Sequence, residues 1–188
     1  MIYNNTDEEL IKQIIDGREE AITILIQRYQ GFAFNLASKI LTNKQDAEES
    51  VQDSFVKAIK AIIAFKQESS FKTWLYRIVY NTAMNQLRKK SFISKVLIDD
   101  LSDAEIQLHN ELMESKYDKI YITNKIKYAF DKLTPENKII MTLYYLEQAT
   151  IDEISEITLL TNNTVKVRLF RSREQLKKIL KRLDLSLD

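Results

Sequence analysis

The scarcity of turn-forming residues constrains the fold of this chain more than any other feature. Only two Gly and one Pro occur in 188 residues. β-Sandwiches and barrels need Gly, Asn-Gly or Pro turns every few residues, and a dinucleotide-binding fold needs a glycine-rich loop. The sequence therefore predicts an all-α protein, with a length that suits one or two domains.

The composition also excludes several classes of function. The chain has no Cys and a single His, His109, so it offers no disulfide framework, no cysteine nucleophile and no thiolate or two-histidine metal site. We expect no catalytic residue, no cofactor and no metal. Its start carries Asp7, Glu8 and Glu9 in place of a basic, apolar leader, and no long uncharged apolar run follows. These features predict a cytoplasmic protein without membrane insertion.

Charge is distributed in blocks along the chain. Residues 71–95 hold six basic side chains and no acidic one, whereas residues 96–118 hold seven acidic side chains and one basic. Residues 165–183 hold eight basic side chains and one acidic. Two basic blocks would suit a polyanion that is contacted at two places, but solvated surface helices carry similar charges. Charge alone leaves both interpretations open.

Capping signals divide the chain into helices. Four pairs fit the Ser/Thr-x-x-Glu/Gln box that satisfies free amides at a helix start: Thr6 with Glu9, Thr42 with Gln45, Ser102 with Glu105, and Thr150 with Glu153. Thr134-Pro135 is a fifth start, with Pro at the first helical position. The predicted helices lie near 7–16, 19–41, 45–64, 71–90, 103–131, 135–147, 151–158 and 162–183.

An acidic linker separates two predicted domains. Between Phe92 and Leu112, acidic and polar residues interrupt the apolar ones, which makes this the weakest core-forming segment. We therefore expect an N-terminal helical domain over residues 1–91, a linker over 92–118 and a smaller domain over 119–188.

The helix predicted near 45–64 has one apolar and one charged face. Its apolar residues recur every three or four positions, and charged residues fall opposite. A solvated face and a docking face for a partner protein are both open. A carboxylate metal site is disfavoured because no Glu-x-x-His pair completes it. The apolar stripe comprises Ala47, Val51, Phe55, Ala58 and Ile62, and the opposite face comprises Asp46, Glu49, Asp53, Lys57 and Lys60.

The helix predicted near 71–90 carries an unusual polar face. At 100° per residue, this face presents Arg77, Asn81, Asn85 and Arg88, together with Met84. Arg binds phosphate or guanine and Asn can contact base edges, while aromatic rings can stack on an unpaired base. Phe71, Trp74, Tyr76 and Tyr80 supply such rings. Phe71 and Trp74 could equally be core residues, and a core ring can still support a loop that touches a base.

Residues 150–169 have helix-turn-helix spacing. A short helix with inward Ile151, Ile154 and Ile157 is followed by a tight turn and a strongly basic helix with inward Val165 and Leu169. A basic second helix favours duplex DNA over the alternative of a plain helical hairpin. Thr161 is the expected cap, and Asn163 and Thr164 would sit near phosphate. The exposed face would present Asn162, Asn163, Lys166, Val167, Phe170 and Arg171, flanked by Arg168 and Arg173.

Together these motifs resemble the extracytoplasmic-function sigma factors of the sigma-70 class. Asp-Ala-Glu-Glu-Ser-Val-Gln-Asp-Ser-Phe at 46–55, Phe-Lys-Thr-Trp-Leu-Tyr-Arg-Ile at 71–78, Asn81 and Leu-Arg-Lys-Lys at 87–90 resemble region 2. Leu-Thr-Pro-Glu at 133–136, the helix 150–157, Asn-Thr-Val-Lys-Val-Arg-Leu at 163–169 and Arg-Ser-Arg at 171–173 resemble region 4. The resemblance spans about residues 21–183, apart from the linker.

The resemblance implies a sigma factor that directs core RNA polymerase to promoters and has no active site of its own. It implies contacts with the polymerase β′ clamp and β flap, a linker directed toward the active-site channel, a monomer, and an anti-sigma factor as a further partner. Residues implied to bind the β′ clamp are Glu49, Gln52, Asp53 and Lys57. Residues implied to bind the minus 10 element and assist melting are Ser69, Ser70, Phe71, Lys72, Trp74, Arg77, Asn81, Asn85 and Arg88. Residues implied to bind the minus 35 element are Asn162, Asn163, Thr164, Lys166, Val167, Arg168, Phe170, Arg171 and Arg173.

Some positions depart from the family pattern. Leu159 occupies the turn position usually taken by Gly, where positive φ would cost an L-residue about 1–2 kcal/mol, so we expect a rebuilt turn. Thr161 and Asn162 replace an apolar pair, and Val167 replaces a small polar residue. The alternative function is a stand-alone helix-turn-helix regulator, which would leave residues 46–90 unexplained. A nuclease is a more distant alternative, since Asp46, Glu49 and Asp53 lack a second carboxylate cluster.

Overall fold

The computed structural model describes residues 5–97 and 118–183, and over these ranges the protein is helical without a β-strand. A short 3-10 turn, Ile62–Ala64, follows the third helix. The predicted all-α class is confirmed. The helices are α1 (Asp7–Ile15), α2 (Glu19–Ile40), α3 (Lys44–Ala61), α4 (Phe71–Leu97), α5 (Asp118–Asp131), α6 (Pro135–Tyr145), α7 (Ile151–Thr158) and α8 (Asn162–Arg182).

Most of the predicted caps are present. Thr6 with Glu9 and Thr150 with Glu153 form complete capping boxes. Thr134 and Thr161 cap α6 and α8. The predicted cap Thr42 is wrong, because the side chain of Asn43 accepts the free amides of Gln45 and Asp46 instead. The side-chain oxygen of Asn can accept the amides two and three residues ahead as well as that of Thr can, and with Asn43 as N-cap the first residue of α3 is Lys44. The predicted Ser102–Glu105 cap lies outside the described residues.

α4 is longer than predicted. It continues to Leu97, beyond the expected end near residue 90, so it crosses the proposed boundary between the first domain and the linker. No Gly or Pro stops the helix near residue 90. The first half of the helix predicted over 103–131 lies outside the described residues, and its second half is α5.

Helices α1–α4 bury a shared apolar core. The stripe predicted on α3 faces inward, with Ala47, Val51, Phe55, Ala58 and Ile62 all buried. Ser54 is also fully buried, and its hydroxyl donates to the backbone oxygen of Ser50 at 2.6 Å. Small residues on this face allow α3 to pack closely against α2 and α4.

The turn between α7 and α8 keeps its usual geometry, although Gly is absent from it. Leu159 adopts the left-handed conformation, with φ 58° and ψ 27°, so the expectation of a rebuilt turn is wrong. The hydroxyl of Ser155 donates to the backbone oxygen of Leu160 and ties the turn to α7. Buried Ile154, Ile157 and Val165 hold α7 against α8. Packing therefore outweighs the local cost of placing a leucine in this conformation.

The two helical halves pack directly on each other. α4 contacts α7, and α2 contacts α6. Most of the buried apolar residues of both halves, from Leu10 to Leu169, belong to one continuous core cluster. Among the described helices, none combines the length and apolar character needed to cross a bilayer.

Candidate nucleic-acid and polymerase interfaces

α3 presents the predicted charged face to solvent. Glu49, Gln52, Asp53 and Lys57 are all exposed along its outer side. Lys57 also donates to the Thr82 hydroxyl of α4 at 3.1 Å, which fixes the end of its side chain. The structure thus brings the four residues together on one helix face, where a partner protein could reach them.

An apolar groove runs beside that charged face. Ile26 of α2 and Phe55, Val56 and Ile59 of α3 line it, with a volume of about 440 Å³. Val56 is 52% exposed, so apolar surface lies open to solvent beside the charged residues. A charged rim next to an apolar floor is the arrangement that protein-protein interfaces commonly use.

An aromatic cluster lies beneath the start of α4. The Trp74 ring centroid is 5.0 Å from that of Phe65 and 5.6 Å from that of Phe71, which in turn is 5.5 Å from Tyr29. Phe71 is only 4% exposed. Its ring therefore supports the loop before α4 from within, while the half-buried Trp74 remains accessible at the edge.

The loop before α4 is fixed by hydroxyl groups. Ser70 Oγ accepts the backbone amide of Thr73 at 3.1 Å and so satisfies a free amide at the start of α4. Ser69 Oγ donates to Glu156 of α7 at 2.6 Å. Both predicted DNA-contacting serines are thus already hydrogen-bonded within the chain.

The polar face of α4 becomes more exposed toward its C-terminal end. Arg77 and Asn81 are half-buried, whereas Asn85 and Arg88 are exposed. Met84, which shares this face by helical spacing, is only 4% exposed and belongs to the core. Asn85 and Arg88 are therefore the members of this polar face that a nucleic acid could reach without rearrangement.

α8 exposes most of its predicted DNA-contacting residues, while Thr164 is half-buried beside the Thr161 cap. Within the described chain, Lys166 and Arg171 make no hydrogen bond or ion pair, so their charges are free for a ligand. The exposed fraction of Phe170 is 63% and that of Val167 is 43%, which places apolar surface between the cations. The exposed members are Asn162, Asn163, Lys166, Val167, Phe170, Arg171 and Arg173.

Two arginines of α8 are directed toward the protein instead. Arg168 donates to the Asn137 side chain of α6 at 3.4 Å. Arg173 donates from Nε to the Tyr145 hydroxyl at 2.6 Å, and its guanidinium lies 5.4 Å from the Tyr144 ring centroid. These contacts were not visible in the sequence pattern, because they join residues 28 or more positions apart.

Over the residues that the structure describes, no group of three or more acidic or histidine side chains is placed to hold a metal ion.

Comparison with known proteins decides the family. Residues 25–93 match the model for sigma-70 region 2, and residues 123–176 match that for sigma-70 region 4. The extracytoplasmic-function sigma-E factor of Haemophilus influenzae is 31% identical over 177 residues, which cover 91% of this chain and 93% of that protein. The chain belongs to the extracytoplasmic-function sigma factors. It is an RNA polymerase sigma factor that directs transcription initiation, as the resemblance implied.

Other relatives agree with that assignment. The extracytoplasmic-function sigma factor SigW of Bacillus subtilis is 29% identical over 185 residues, covering 92% of this chain and 96% of that protein. Two solved structures share the fold. CnrH, in complex with the cytosolic domain of CnrY, has a TM-score of 0.66 at 20% identity and covers 94% of this sigma factor and 98% of its own chain. The Bartonella quintana sigma factor RpoE, in complex with the anti-sigma factor NepR, has a TM-score of 0.65 at 21% identity, with 88% and 97% covered.

The family regions map onto the helices of this sigma factor. The region 2 match takes in most of α2, all of α3 and most of α4, and the region 4 match runs from α5 into α8. Sequence reasoning missed Glu147 and Glu156 of region 4, which contact region 2. No local signal marks them, since their partners lie 71 and 87 residues away in the chain.

Proposed function

We propose that this sigma factor docks on core RNA polymerase through the outer face of α3 and contacts promoter DNA through α4 and α8. The docking residues are Glu49, Gln52, Asp53 and Lys57, next to the apolar groove between α2 and α3. Exposed charge around an apolar floor supports this role, because docking there buries apolar area while the rim fixes orientation. The factor acts by binding, and the polymerase carries out the chemistry.

The main support for DNA binding is the exposed basic face of α8, the second helix of a helix-turn-helix. Among residues 5–97 and 118–183, Lys166 and Arg171 have no hydrogen-bond or ion-pair partner, and they flank Val167 and Phe170, as a helix that enters a DNA groove requires. Cations there would contact phosphates or base edges, and the two apolar side chains would contact thymine methyl groups. We assign this face to a duplex minus 35 element.

α4 and its preceding loop are assigned to the minus 10 element. Asn85 and Arg88 are accessible on one face, and half-buried Trp74 stands at the edge of the aromatic cluster. Aromatic stacking is worth about 1–3 kcal/mol per unpaired base, comparable to the cost of taking a base out of the duplex. This region would therefore assist promoter melting.

A charge-matched pair of variants tests the minus 10 assignment. Arg88→Ala and Lys89→Ala each remove one exposed positive charge from adjacent positions, but Arg88 lies near the centre of the face that carries Arg77, Asn81 and Asn85, whereas Lys89 lies at its edge. Permanganate reactivity of unpaired thymines would be measured on a promoter bound by the reconstituted holoenzyme. We expect Arg88→Ala to reduce promoter opening by about 5- to 100-fold, with a much smaller loss for Lys89→Ala. Equal losses of promoter opening for the two variants would show that Arg88 acts only through general electrostatic attraction, and would contradict the assignment of this face to the minus 10 element.

An anti-sigma partner remains a prediction. It is supported by the Bartonella quintana structure, whose sigma factor is bound to an anti-sigma factor. A monomeric state outside the polymerase also remains a prediction, and light scattering would test it.

A further inference from the structure

Phe92 is a large apolar side chain on the polar face of α4. Its exposed fraction is 69%. At about 100° per residue, Phe92 lies within about 40° of Asn81, Asn85 and Arg88 around the helix. A rise of about 1.5 Å per residue places it about 6 Å beyond Arg88 along the axis. The face that we assign to the minus 10 element therefore continues for a further turn and includes an exposed ring.

An ion pair on the opposite side of α4 holds this part of the helix in place. Lys90 Nζ is bonded to Asp46 Oδ2 in the first turn of α3. Lys90 lies about 160° around the helix from Phe92, so the side of α4 that binds α3 is opposite the side that carries the ring. Leu87 also packs against the core. The ring is therefore directed away from the protein by a helix whose other side is anchored.

Phe92 has an aromatic counterpart at the other end of the face. Trp74 lies 18 residues earlier, which is about five turns of an α-helix, so both residues project from the same side of α4. They are about 27 Å apart along the axis. Trp74 is half-buried in the aromatic cluster, whereas Phe92 is mostly exposed. The polar face therefore has an aromatic residue near each end.

The surroundings of Phe92 favour a nucleic acid as its partner. Residues 71–95 carry six basic side chains and no acidic one, and Arg88 and Lys89 are exposed near the ring. Single exposed apolar residues are common on protein surfaces, but an aromatic ring among cations is the arrangement that binds single-stranded DNA. The cations attract the phosphates, and the ring stacks on a base. A base can lie flat on such a ring only when it has left the duplex.

We propose that Phe92 stacks on an unpaired promoter base and is a second aromatic contact, in addition to Trp74, to the melted minus 10 strand. The ring stabilises the opened promoter relative to the duplex, because it contacts a base only after the strands separate. The proposal rests on the assignment of α4 to the minus 10 element. It adds a residue that lies beyond the last of the region 2 motifs, which ends at residue 90.

Four variants separate the ring from the rest of the surface. Phe92→Leu removes the ring and keeps an apolar side chain, whereas Phe92→Tyr keeps the ring. Leucine is a better helix former than phenylalanine, so a loss of binding with Phe92→Leu does not come from unfolding of α4. Arg88→Ala is the positive control for the minus 10 face. Ile15→Ala is the negative control, since Ile15 is also a large apolar residue, 52% exposed, but lies on α1.

The affinity for an opened promoter is measured first. The reconstituted holoenzyme is titrated against a fluorescent fork DNA that carries a paired minus 35 element and an unpaired minus 10 strand. We expect Phe92→Leu to bind this DNA about 5- to 100-fold more weakly, while Phe92→Tyr stays within about twofold of the wild type. Ile15→Ala should bind as tightly as the wild type.

An abasic scan then identifies the stacked base. Each nucleotide of the unpaired strand is replaced in turn by an abasic sugar, which keeps the phosphate and removes the surface for stacking. The wild type should lose affinity at one position where Phe92→Leu loses nothing further, because the ring and the base act only together. Arg88→Ala should still lose affinity when that base is removed.

The outcomes separate this contact from the assigned function. Wild-type affinity of Phe92→Leu, together with weaker binding by Arg88→Ala, would overturn the Phe92 contact and leave the minus 10 assignment in place. Wild-type affinity of both variants would contradict the assignment itself, and the Phe92 contact with it. If Phe92→Leu binds weakly but responds to every abasic position as the wild type does, or if Phe92→Tyr binds as weakly as Phe92→Leu, the ring does not stack on a base and the proposal is overturned.

Discussion

Replacing Arg171 and Arg173 one at a time by alanine should separate a DNA contact from a structural contact on the same helix. Both side chains are exposed on α8 and both carry one positive charge. Over the described chain Arg171 has no polar partner, whereas Arg173 donates to the Tyr145 hydroxyl and lies over the rings of Tyr144 and Tyr145. The two substitutions remove the same charge but different intramolecular contacts.

The magnitudes follow from those contacts. An exposed cation-π contact contributes about 0.5–1 kcal/mol. A hydrogen bond adds about 0.5–1.5 kcal/mol, the lower end applying at an exposed site. Arg173→Ala should therefore cost about 1 kcal/mol of folding stability, or about 2–4 °C in melting temperature for a protein of this size. Arg171→Ala should leave the melting temperature unchanged and lose about 1–3 kcal/mol of binding to a duplex minus 35 site.

The assay combines thermal unfolding of the isolated variants with transcription initiation by the reconstituted holoenzyme. Initiation would be compared on a promoter with an intact minus 35 sequence and on one with that sequence scrambled. A base-edge contact predicts that the Arg171→Ala loss is confined to the intact promoter. The reasoning is refuted if Arg171→Ala lowers the melting temperature as much as Arg173→Ala, or if both promoters lose equally, which would indicate a phosphate contact.

Three further predictions concern docking, turn geometry and pH. Gln52→Ala with Asp53→Ala should weaken the affinity for core polymerase while leaving helicity intact; equal affinity in a filter or anisotropy titration would contradict the docking face. Leu159→Val should be less stable than Leu159→Gly by at least about 1 kcal/mol in urea unfolding, because β-branching raises the cost of φ 58°. Burial, with Glu147 adding to it, raises the pKa of Tyr76 above its usual range, so the protonated hydroxyl stabilises the fold. This stabilisation is fully present below about pH 10, the usual pKa of tyrosine in an unfolded chain. Above that pH, the free energy of unfolding should fall by up to about 1.4 kcal/mol per pH unit. Tyr76→Phe should reduce this slope.

Local chemistry made much of the fold predictable. The helices that begin after Thr6 and Thr150 could be predicted, because a capping box joins residues only three positions apart and is therefore visible in the sequence. The apolar stripe of α3 could be predicted from residue spacing alone, because a helix that buries one face has apolar residues every three or four positions. The prediction that Thr42 caps α3 was wrong because the neighbouring Asn43 is an equally good cap, and the choice between them depends on where α3 packs.

Other features depend on contacts between distant residues. Nothing near Leu159 indicates that it would accept a left-handed conformation, which is held by the packing of α7 against α8. Likewise Glu147 and Glu156 are ordinary surface carboxylates by pattern, and only the packing of region 4 on region 2 gives them Lys72 and Ser69 as partners. Sequence reasoning placed the predicted DNA-contacting residues on two helices but could not show that Ser69 and Lys72 are bonded to the other half.

The central claim is tested most directly by adding the purified full chain to bacterial core RNA polymerase and assaying the mixture on promoter templates. The account predicts co-elution in size exclusion and transcripts that start at defined positions only when the chain is present. A chain that shifts duplex DNA but neither co-elutes with core polymerase nor supports initiation would contradict the account and favour a stand-alone helix-turn-helix regulator.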